Sequence, residues 1–229
     1  MSMKRSAIRR RQISALLIVV LAGLVLWASR LATPQPSSGS PSLQKQLFGD
    51  STAAAELDKL AVKGRAPKTD YSRQQFGGGW DKPGGCSTRE IILARDLQDK
   101  KVDDKCRVLA GRLHDPYTGA DIQFRRGPNS SAKVQIDHVV ALSDAWQKGA
   151  QGLSSAARQQ LANDPLNLLA VDGAANQAKG DSDAATWLPA YKPFRCQYVQ
   201  RQVAVKRKYH LWVTTAEKES IAKVLAGCS

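Results

Sequence analysis

The sequence predicts an α+β fold, and three features of the chain indicate it. A turn that contains Pro and Gly, Asp115–Gly119, separates two short runs of strand-like composition, residues 107–113 and 120–124, so a β-hairpin is expected there. A helical pattern then covers residues 192–213, opened by a Lys-Pro-Phe helix start. Thr214–Glu217 has the capping-box pattern that opens a second helix. Strands followed by an antiparallel pair of helices are typical of the α+β class.

The other elements follow from local patterns along the chain. A short amphipathic helix is expected over residues 51–62, with its leucines on one side. Glycine-rich turns at 77–80 and 83–85 precede a helix expected at 88–97. Further downstream the expected order is a strand that ends in Asp137 and His138, helices at 142–148 and 155–162, a strand at 166–171, and a helix that begins at 173–179. The two helices at 142–162 form an insertion between the two strands.

The N-terminal residues 1–32 are expected to be a signal peptide or a signal anchor. Basic residues precede an apolar run at 13–29, as in a secretory signal. The run lacks a small-x-small cleavage site near its end, which favours an uncleaved anchor with its basic end in the cytoplasm. A full membrane span needs about twenty apolar residues, which this run reaches only if Arg30 extends to the interface. In either case the rest of the chain is expected to be exported, either anchored to the membrane or secreted.

Residues 33–50 are expected to be a flexible linker, because their Pro, Ser and Gly content leaves little to bury. The remaining residues, 51–229, are enough for one domain of ordinary size. Beyond residue 30 the chain carries 28 Lys and Arg against 20 Asp and Glu, a net charge of +8. This excess favours a polyanion such as nucleic acid as the partner, and the alternative is an ordinary solvated basic surface.

The four cysteines all follow the apolar run, which fits an oxidising compartment. Four cysteines allow three pairings. An antiparallel helical hairpin over residues 192–226 brings its two far ends together, so Cys196 is expected to pair with Cys228, and Cys86 with Cys106. Zinc binding is the alternative, but the sequence has no C-x-x-C motif and no cluster of histidines.

The candidate catalytic residues are four polar positions around the strand that ends in Asp137 and His138. An acid and a histidine at the end of an apolar strand require more than core packing, although a buried ion pair would also explain them. Downstream, Asn167 stands near a strand start and Asn176 in the following helix. In this set His138 is the general base, Asn167 orients it by a hydrogen bond, and Asp137 and Asn176 are oxygen ligands for one divalent cation. The other histidines, at 114 and 210, have local environments that suggest structural roles.

Four stretches of the chain carry a family resemblance: Gly85–Arg89, Asp115–Gly119, Ile136–Val139 and Asn163–Leu168. The motif Asn176-x-x-Lys179-Gly180 adds to these four stretches. With them, the chain from about 70 to 215 resembles the HNH (His-Me finger, ββα-metal) endonucleases of the GmrSD-type C-terminal nuclease family. The resemblance implies a ββα-metal core at about 134–181 and a metal-dependent nuclease. It makes Asp137 and Asn176 the metal ligands and His138 the base. Oxygen ligands suit Mg²⁺, with Mn²⁺ as the second choice, and Asn176 stands where many members have histidine.

The expected partner is nucleic acid, DNA more than RNA, bound by a monomer without a small-molecule cofactor. Arg125, Arg126 and Lys179 are the phosphate-contact candidates, and solvated charge is the alternative for each. No base-reading module is visible, so cleavage of low sequence specificity is expected. Two alternatives stay open: a noncatalytic nucleic-acid-binding or cell-surface protein that retains the fold, and a hydrolase of another phosphorylated polymer.

Overall fold

The structure is a computed structural model, and it describes residues 42–128 and 131–228. The described part combines helices with two small antiparallel sheets, which confirms the α+β class. The signal peptide or anchor expected at residues 1–32 lies outside the described residues. Within the ranges that are described, no helix is both long and apolar enough to cross a membrane.

Two short helices open the folded part, α1 (Leu43–Phe48) and α2 (Ala53–Asp58). The side chains of Ser42 and Thr52 cap them by accepting hydrogen bonds from backbone N–H groups inside each helix. Helix α1 falls within the stretch 33–50, which the sequence predicts to be a flexible linker. Residues 43–48 are helical and not a flexible linker because Phe48 packs against the protein core. The folded part therefore begins before residue 51.

A three-stranded antiparallel sheet follows helix α3 (Thr88–Asp96) and contains β1 (Gln98–Val102), β2 (Val108–His114) and β3 (Asp121–Arg125). Strands β2 and β3 form the expected hairpin, and Leu113 pairs with Ile122. A disulfide between Cys86 and Cys106 joins the start of α3 to the β1–β2 turn. This is one of the two pairs chosen from the sequence.

A second, two-stranded sheet pairs β4 (Val134–His138) with β5 (Leu168–Asp172). Between the two strands lie helices α4 (Leu142–Gln147) and α5 (Ser155–Asn163). Helix α6 (Gly173–Lys179) begins directly after β5, capped by Asp172, whose side chain accepts from the Ala175 N–H at 2.7 Å. A Cβ on Gly173 would lie 2.2 Å from the carbonyl oxygen of Ala132, so only glycine fits at this close approach. Strands β4 and β5 with α6 form the ββα unit that the sequence predicts.

Helices α7 (Arg195–Lys208) and α8 (Thr215–Leu225) complete the fold. A disulfide between Cys196 and Cys228 joins the start of α7 to the residues after α8, as the hairpin arrangement predicts. The expected capping box at the start of α8 is half formed. The Thr214 hydroxyl accepts from the Glu217 N–H at 3.2 Å, but the Glu217 carboxylate binds the ammonium groups of Lys148 and Lys206 inside the protein.

The core lies on both faces of the β4–β5 sheet. On one face Ile136, Leu168 and Ala170 pack with residues of α3 and the β2–β3 hairpin. On the other, Leu169 and Val171 pack with aromatic and aliphatic side chains of the hairpin turn and α7. Trp146 is buried in the core, and Trp187 and Trp212 are half-buried. The end of strand β4 is therefore held between two packed layers.

Candidate functional site

Asp137 and His138 point to opposite faces of strand β4, because side chains alternate along a strand. His138 pairs across the sheet with Leu168, and Asp137 pairs with Leu169. His138 thus shares its face with Ile136, whereas Asp137 lies on the face that packs against Tyr117. The structure does not bring the two side chains to one point.

The imidazole of His138 is held by a carbonyl group and by an aromatic ring. Its Nε2 lies 2.9 Å from the carbonyl oxygen of Ala162, at the end of α5. A carbonyl only accepts hydrogen bonds, so Nε2 carries the proton and Nδ1 is the basic nitrogen. The indole of Trp80 stacks on the ring, with 5.8 Å between centroids and 12° between planes. Burial lowers the pKa of His138 to about 3, so the ring is neutral at physiological pH.

A cavity of about 340 Å³ opens beside His138. Its walls come from the segment before α3, from the start of α4 and from the end of α5. The lining includes the aromatic rings of Phe76 and Trp80, the guanidinium of Arg73 and the backbone of three consecutive glycines, Gly77–Gly79. His138 is only 6% exposed, yet it borders this cavity. A small polar group that enters the cavity therefore meets the imidazole.

Asn167 is buried behind the strand end and braces the main chain around His138. Its side-chain oxygen accepts from the Val140 N–H at 2.8 Å, and its amide lies 3.3 Å from the carbonyl oxygens of Val140 and Leu161. The sequence predicts that Asn167 orients the imidazole. In the structure, Asn167 bonds to the main-chain segments that carry His138 and Ala162. The group that bonds to the ring is the carbonyl of Ala162.

Asp137 is buried in an ion pair with Lys179 of α6. The Lys179 ammonium lies 3.0 Å from Oδ1 of Asp137 and 2.8 Å from the carbonyl oxygen of His138. The hydroxyl of Tyr117 donates to Oδ2 of the same carboxylate. Burial raises the pKa of Asp137, and the charge of Lys179 opposes that rise without cancelling it. Both carboxylate oxygens therefore have a partner supplied by the protein.

The donor set predicted for a divalent cation does not fit one in this arrangement. The position beside Asp137 is taken by the buried ammonium of Lys179, and a dication there would face that positive charge at close range. The Asn176 side chain donates to Oε1 of Gln135 at 2.8 Å, and among the described residues no hydrogen bond joins it to Asp137. Within residues 42–128 and 131–228, no cluster of three or more His, Cys, Asp or Glu side chains is arranged to hold a metal.

The basic residues chosen from the sequence do not line the His138 cavity. Arg126 is paired with Glu90 at 2.5 Å and donates to the carbonyl of Val108, and Lys179 is fully buried. Arg125 is exposed at the end of β3. The cation that does line the cavity is Arg73, which is not among the residues predicted from the sequence. Its position three residues before Phe76-Gly-Gly-Gly-Trp80 was the available signal, but that stretch was interpreted only as a turn.

Comparison with known proteins supports the family resemblance. The family model described as GmrSD restriction endonucleases, C-terminal domain, matches residues 88–224, more than half of the chain. A protein of Arthroderma benhamiae described as an uncharacterized secreted protein is 38% identical over 200 residues, which covers 86% of this chain and 93% of the relative. No solved structure gives a significant match. The chain belongs to the family of GmrSD restriction endonuclease C-terminal domains.

Proposed function

We propose that this protein is an exported nuclease that hydrolyses phosphodiester bonds of nucleic acid with His138 as the general base. The observation that carries the proposal is the bond between Nε2 of His138 and the carbonyl of Ala162, beside an open cavity. That bond fixes the tautomer in which Nδ1 is ready to accept a proton. Membership in a family named for restriction endonucleases supports the same reaction class.

In the proposed reaction a water molecule in the cavity gives its proton to Nδ1 of His138 as its oxygen forms a bond to phosphorus. The bond from phosphorus to the leaving oxygen breaks, and that oxygen takes a proton from solvent. A low pKa keeps the imidazole unprotonated before the reaction. The negative charge of the phosphodiester then raises the proton affinity of the ring as the substrate arrives. The Ala162 carbonyl stabilises the positive charge that develops on the imidazolium.

Metal dependence and the choice of DNA are the finer parts of this proposal. The resemblance implies one divalent cation, Mg²⁺ or Mn²⁺, at Asp137 and Asn176. Because Lys179 holds Asp137 in the present arrangement, a cation binds there only after Lys179 has moved. DNA is proposed ahead of RNA because the family is named for restriction endonucleases. The net charge of +8 beyond residue 30 supports binding of a nucleic acid backbone with low sequence specificity.

Export of the protein rests on two supports. Both disulfides lie downstream of the apolar run at 13–29, and disulfides persist in oxidising compartments. The Arthroderma relative is described as secreted. Whether residues 1–32 are cleaved or anchor the protein remains a prediction, which N-terminal sequencing of the mature protein tests directly.

The test of the nuclease proposal is cleavage of plasmid DNA and of RNA by the purified protein, with Mg²⁺, Mn²⁺ or EDTA. His138→Ala is expected to lower the rate by about 10²- to 10⁴-fold, the usual contribution of a general base. His114→Ala is the matched control, since His114 is half exposed and contacts Asp121. A His138→Ala variant with wild-type turnover would remove this residue from the mechanism. Absence of cleavage by the wild type on every substrate would favour the noncatalytic alternative.

A further inference from the structure

One wall of the His138 cavity is the segment 73–80, which is fixed to helix α5. This segment is called the wall. Residues Arg73–Phe76 form a turn of 3₁₀ helix, and the ring of Phe76 is buried against Trp146 with 6.2 Å between centroids. Arg158 of α5 donates to the carbonyl of Gln75 at 2.8 Å. Helix α5 also carries the carbonyl that bonds to His138. Hydrogen bonds to one helix therefore hold both the wall and the imidazole.

The far end of this wall is also attached to α5. The side-chain oxygen of Asn163 accepts from the Asp81 N–H at 2.9 Å, directly after Trp80. Between the two anchor points lie the three glycines, and an added Cβ on Gly78 would meet no atom within 4 Å. The wall is thus held at both ends and is open at its glycine-rich centre.

The same segment precedes the part of the chain that the family model matches, which begins at residue 88. The base His138 lies inside the matched range, whereas Arg73 and Trp80 lie outside it. Loops added to a catalytic core commonly carry substrate specificity, because they change without disturbing the scaffold. The cavity therefore combines His138, inside the matched range, with a wall that lies before that range.

The chemistry of the wall suits one nucleotide. Trp80 is half-buried and lines the cavity, so the part of its ring that does not stack on His138 supplies a surface for a base. Arg73 supplies a positive charge for a phosphate. Arg73 is exposed, and no ion pair of its guanidinium occurs in the part of the chain that the structure describes. A volume of about 340 Å³ is at the small end of the range of roughly 300 to 1,000 Å³ for ligand sites. It suits one nucleotide and is small for a base pair with both of its strands.

We propose that Arg73 and Trp80 form a subsite for one unpaired nucleotide, with the base on Trp80 and a phosphate on Arg73. The subsite lies next to the phosphodiester that is attacked by the water molecule that His138 deprotonates. This inference rests on the proposed nuclease function and names its substrate class. A base inside a duplex enters such a cavity only after it has left the stack, which costs a few kcal/mol. Single strands, of DNA or RNA, are therefore the preferred substrates.

Binding is measured in the His138→Ala background, so that no cleavage occurs. The probes are oligothymidylate, oligouridylate and a blunt duplex of the same strand length, each over a series of salt concentrations. Arg73→Ala is expected to reduce the log-log salt slope for the single strands by about 0.7, the value for one phosphate contact on single strands. Trp80→Ala is expected to weaken single-strand binding by about 5- to 150-fold, the range of one stacked base.

Two further variants keep the test independent of folding. Gly78→Leu adds bulk to the open centre of the wall and is expected to weaken single-strand binding while the duplex affinity stays near that of the parent. Arg107→Ala is the matched control, since this exposed arginine lies in the β1–β2 turn and pairs with Asp103; it is expected to leave the single-strand slope unchanged. Circular dichroism of each variant identifies any loss of fold.

The subsite proposal would be overturned if Arg73→Ala and Gly78→Leu had the same single-strand affinities and salt slopes as the parent. If these two changes, made in the protein that retains His138, also leave cleavage unchanged, the nuclease proposal survives without it. A wild type that binds single strands as predicted but cleaves nothing would overturn the nuclease function while leaving the subsite in place. A difference between oligothymidylate and oligouridylate tells whether the natural ligand is DNA or RNA.

Discussion

The ammonium nitrogen of Lys179 lies 3.0 Å from Oδ1 of Asp137, and the two side chains are 0% and 7% exposed. The ion pair satisfies the carboxylate that the family resemblance assigns to a metal. Removal of one partner from a buried pair leaves an uncompensated charge, which is far more costly than removal of both. The pair therefore decides how the protein responds to a divalent cation.

The first prediction concerns cation binding without reference to activity. Mg²⁺ and Mn²⁺ are expected to leave the Tm of the wild-type protein unchanged, because Lys179 already compensates Asp137. Lys179→Met is expected to lower the free energy of unfolding by about 3–5 kcal/mol. A cation that binds the freed carboxylate should raise the Tm of this variant, because ligands stabilise the folded state that they bind. Differential scanning calorimetry with each metal and with EDTA measures these shifts.

The double variant Asp137→Asn/Lys179→Met is the control for this experiment. It lacks both charges, so it should recover part of the lost stability and show no response to metal. A wild-type Tm that rises with Mn²⁺, and that no longer does so after Asp137→Asn, would contradict the prediction. It would show that Lys179 leaves Asp137 and that Asp137 is a metal ligand, as the resemblance implies.

The sequence predicts the elements that carry His138 and Asp137, but it does not predict the contacts that these two side chains make. The ββα unit was predictable because apolar strands and a turn-bounded helix are local patterns. Strand β1 was not, because its sequence QDKKV has no apolar alternation and all five residues are exposed; pairing with β2 forms it. The contacts of His138 with Ala162 and Trp80 depend on tertiary packing. No spacing of residues in the sequence predicts these two contacts.

The second prediction concerns the disulfides. Peptide mass spectrometry without reduction is expected to find Cys86 linked to Cys106 and Cys196 linked to Cys228. Replacing either pair by serine should cost about 2–5 kcal/mol of stability. The loops span 20 and 32 residues, so chain entropy separates the two losses by only roughly 0.4 kcal/mol. Urea unfolding of the two double variants measures this, and a crossed linkage would contradict the antiparallel pairing of α7 and α8.

The third prediction is a pH dependence of stability that comes from Asp183. Burial raises the pKa of this carboxyl, but the hydrogen bond and charge of Lys148, at 2.6 Å, together with Arg65, at 2.7 Å, outweigh burial, so the pKa lies below 3.8. A carboxyl with a lowered folded-state pKa stabilises the protein above its unfolded pKa and loses that effect as pH falls. Asp183→Asn should therefore cost roughly 1.5–3 kcal/mol near pH 7.

That cost should shrink as the pH falls below about 4, where the unfolded carboxyl takes up a proton. Urea midpoints of the wild type and of Asp183→Asn, measured at several pH values, give the difference. Asp58→Asn is the control, since the side chain of Asp58 is 75% exposed beside Lys218 and its loss should matter little at any pH. A difference that is constant from neutral to acidic pH would exclude the titration of Asp183 as its source.

The fourth prediction tests Asn167 as a positioning residue. Asn167→Ala leaves the Val140 N–H without the acceptor that it has at 2.8 Å and should cost about 1–3 kcal/mol. The carbonyl of Leu161, one residue before Ala162, loses its partner as well, so the bond that orients His138 loses its support from both sides. Small misplacements of a catalytic group lower the rate by up to about 100-fold, so kcat should fall while KM changes little.

The control for Asn167→Ala is a variant that loses stability elsewhere. Ile221 is buried in helix α8, and Ile221→Val should cost about 0.5–1.5 kcal/mol without changing kcat at a temperature where both proteins are folded. Steady-state kinetics on one nucleic acid substrate separates the two effects. Equal kcat values for Asn167→Ala and Ile221→Val would show that Asn167 serves only stability. A fall in kcat confined to Asn167→Ala would mean that the side chain acts on catalysis through the main chain, since its amide bonds to the segments on either side of the imidazole and not to the ring.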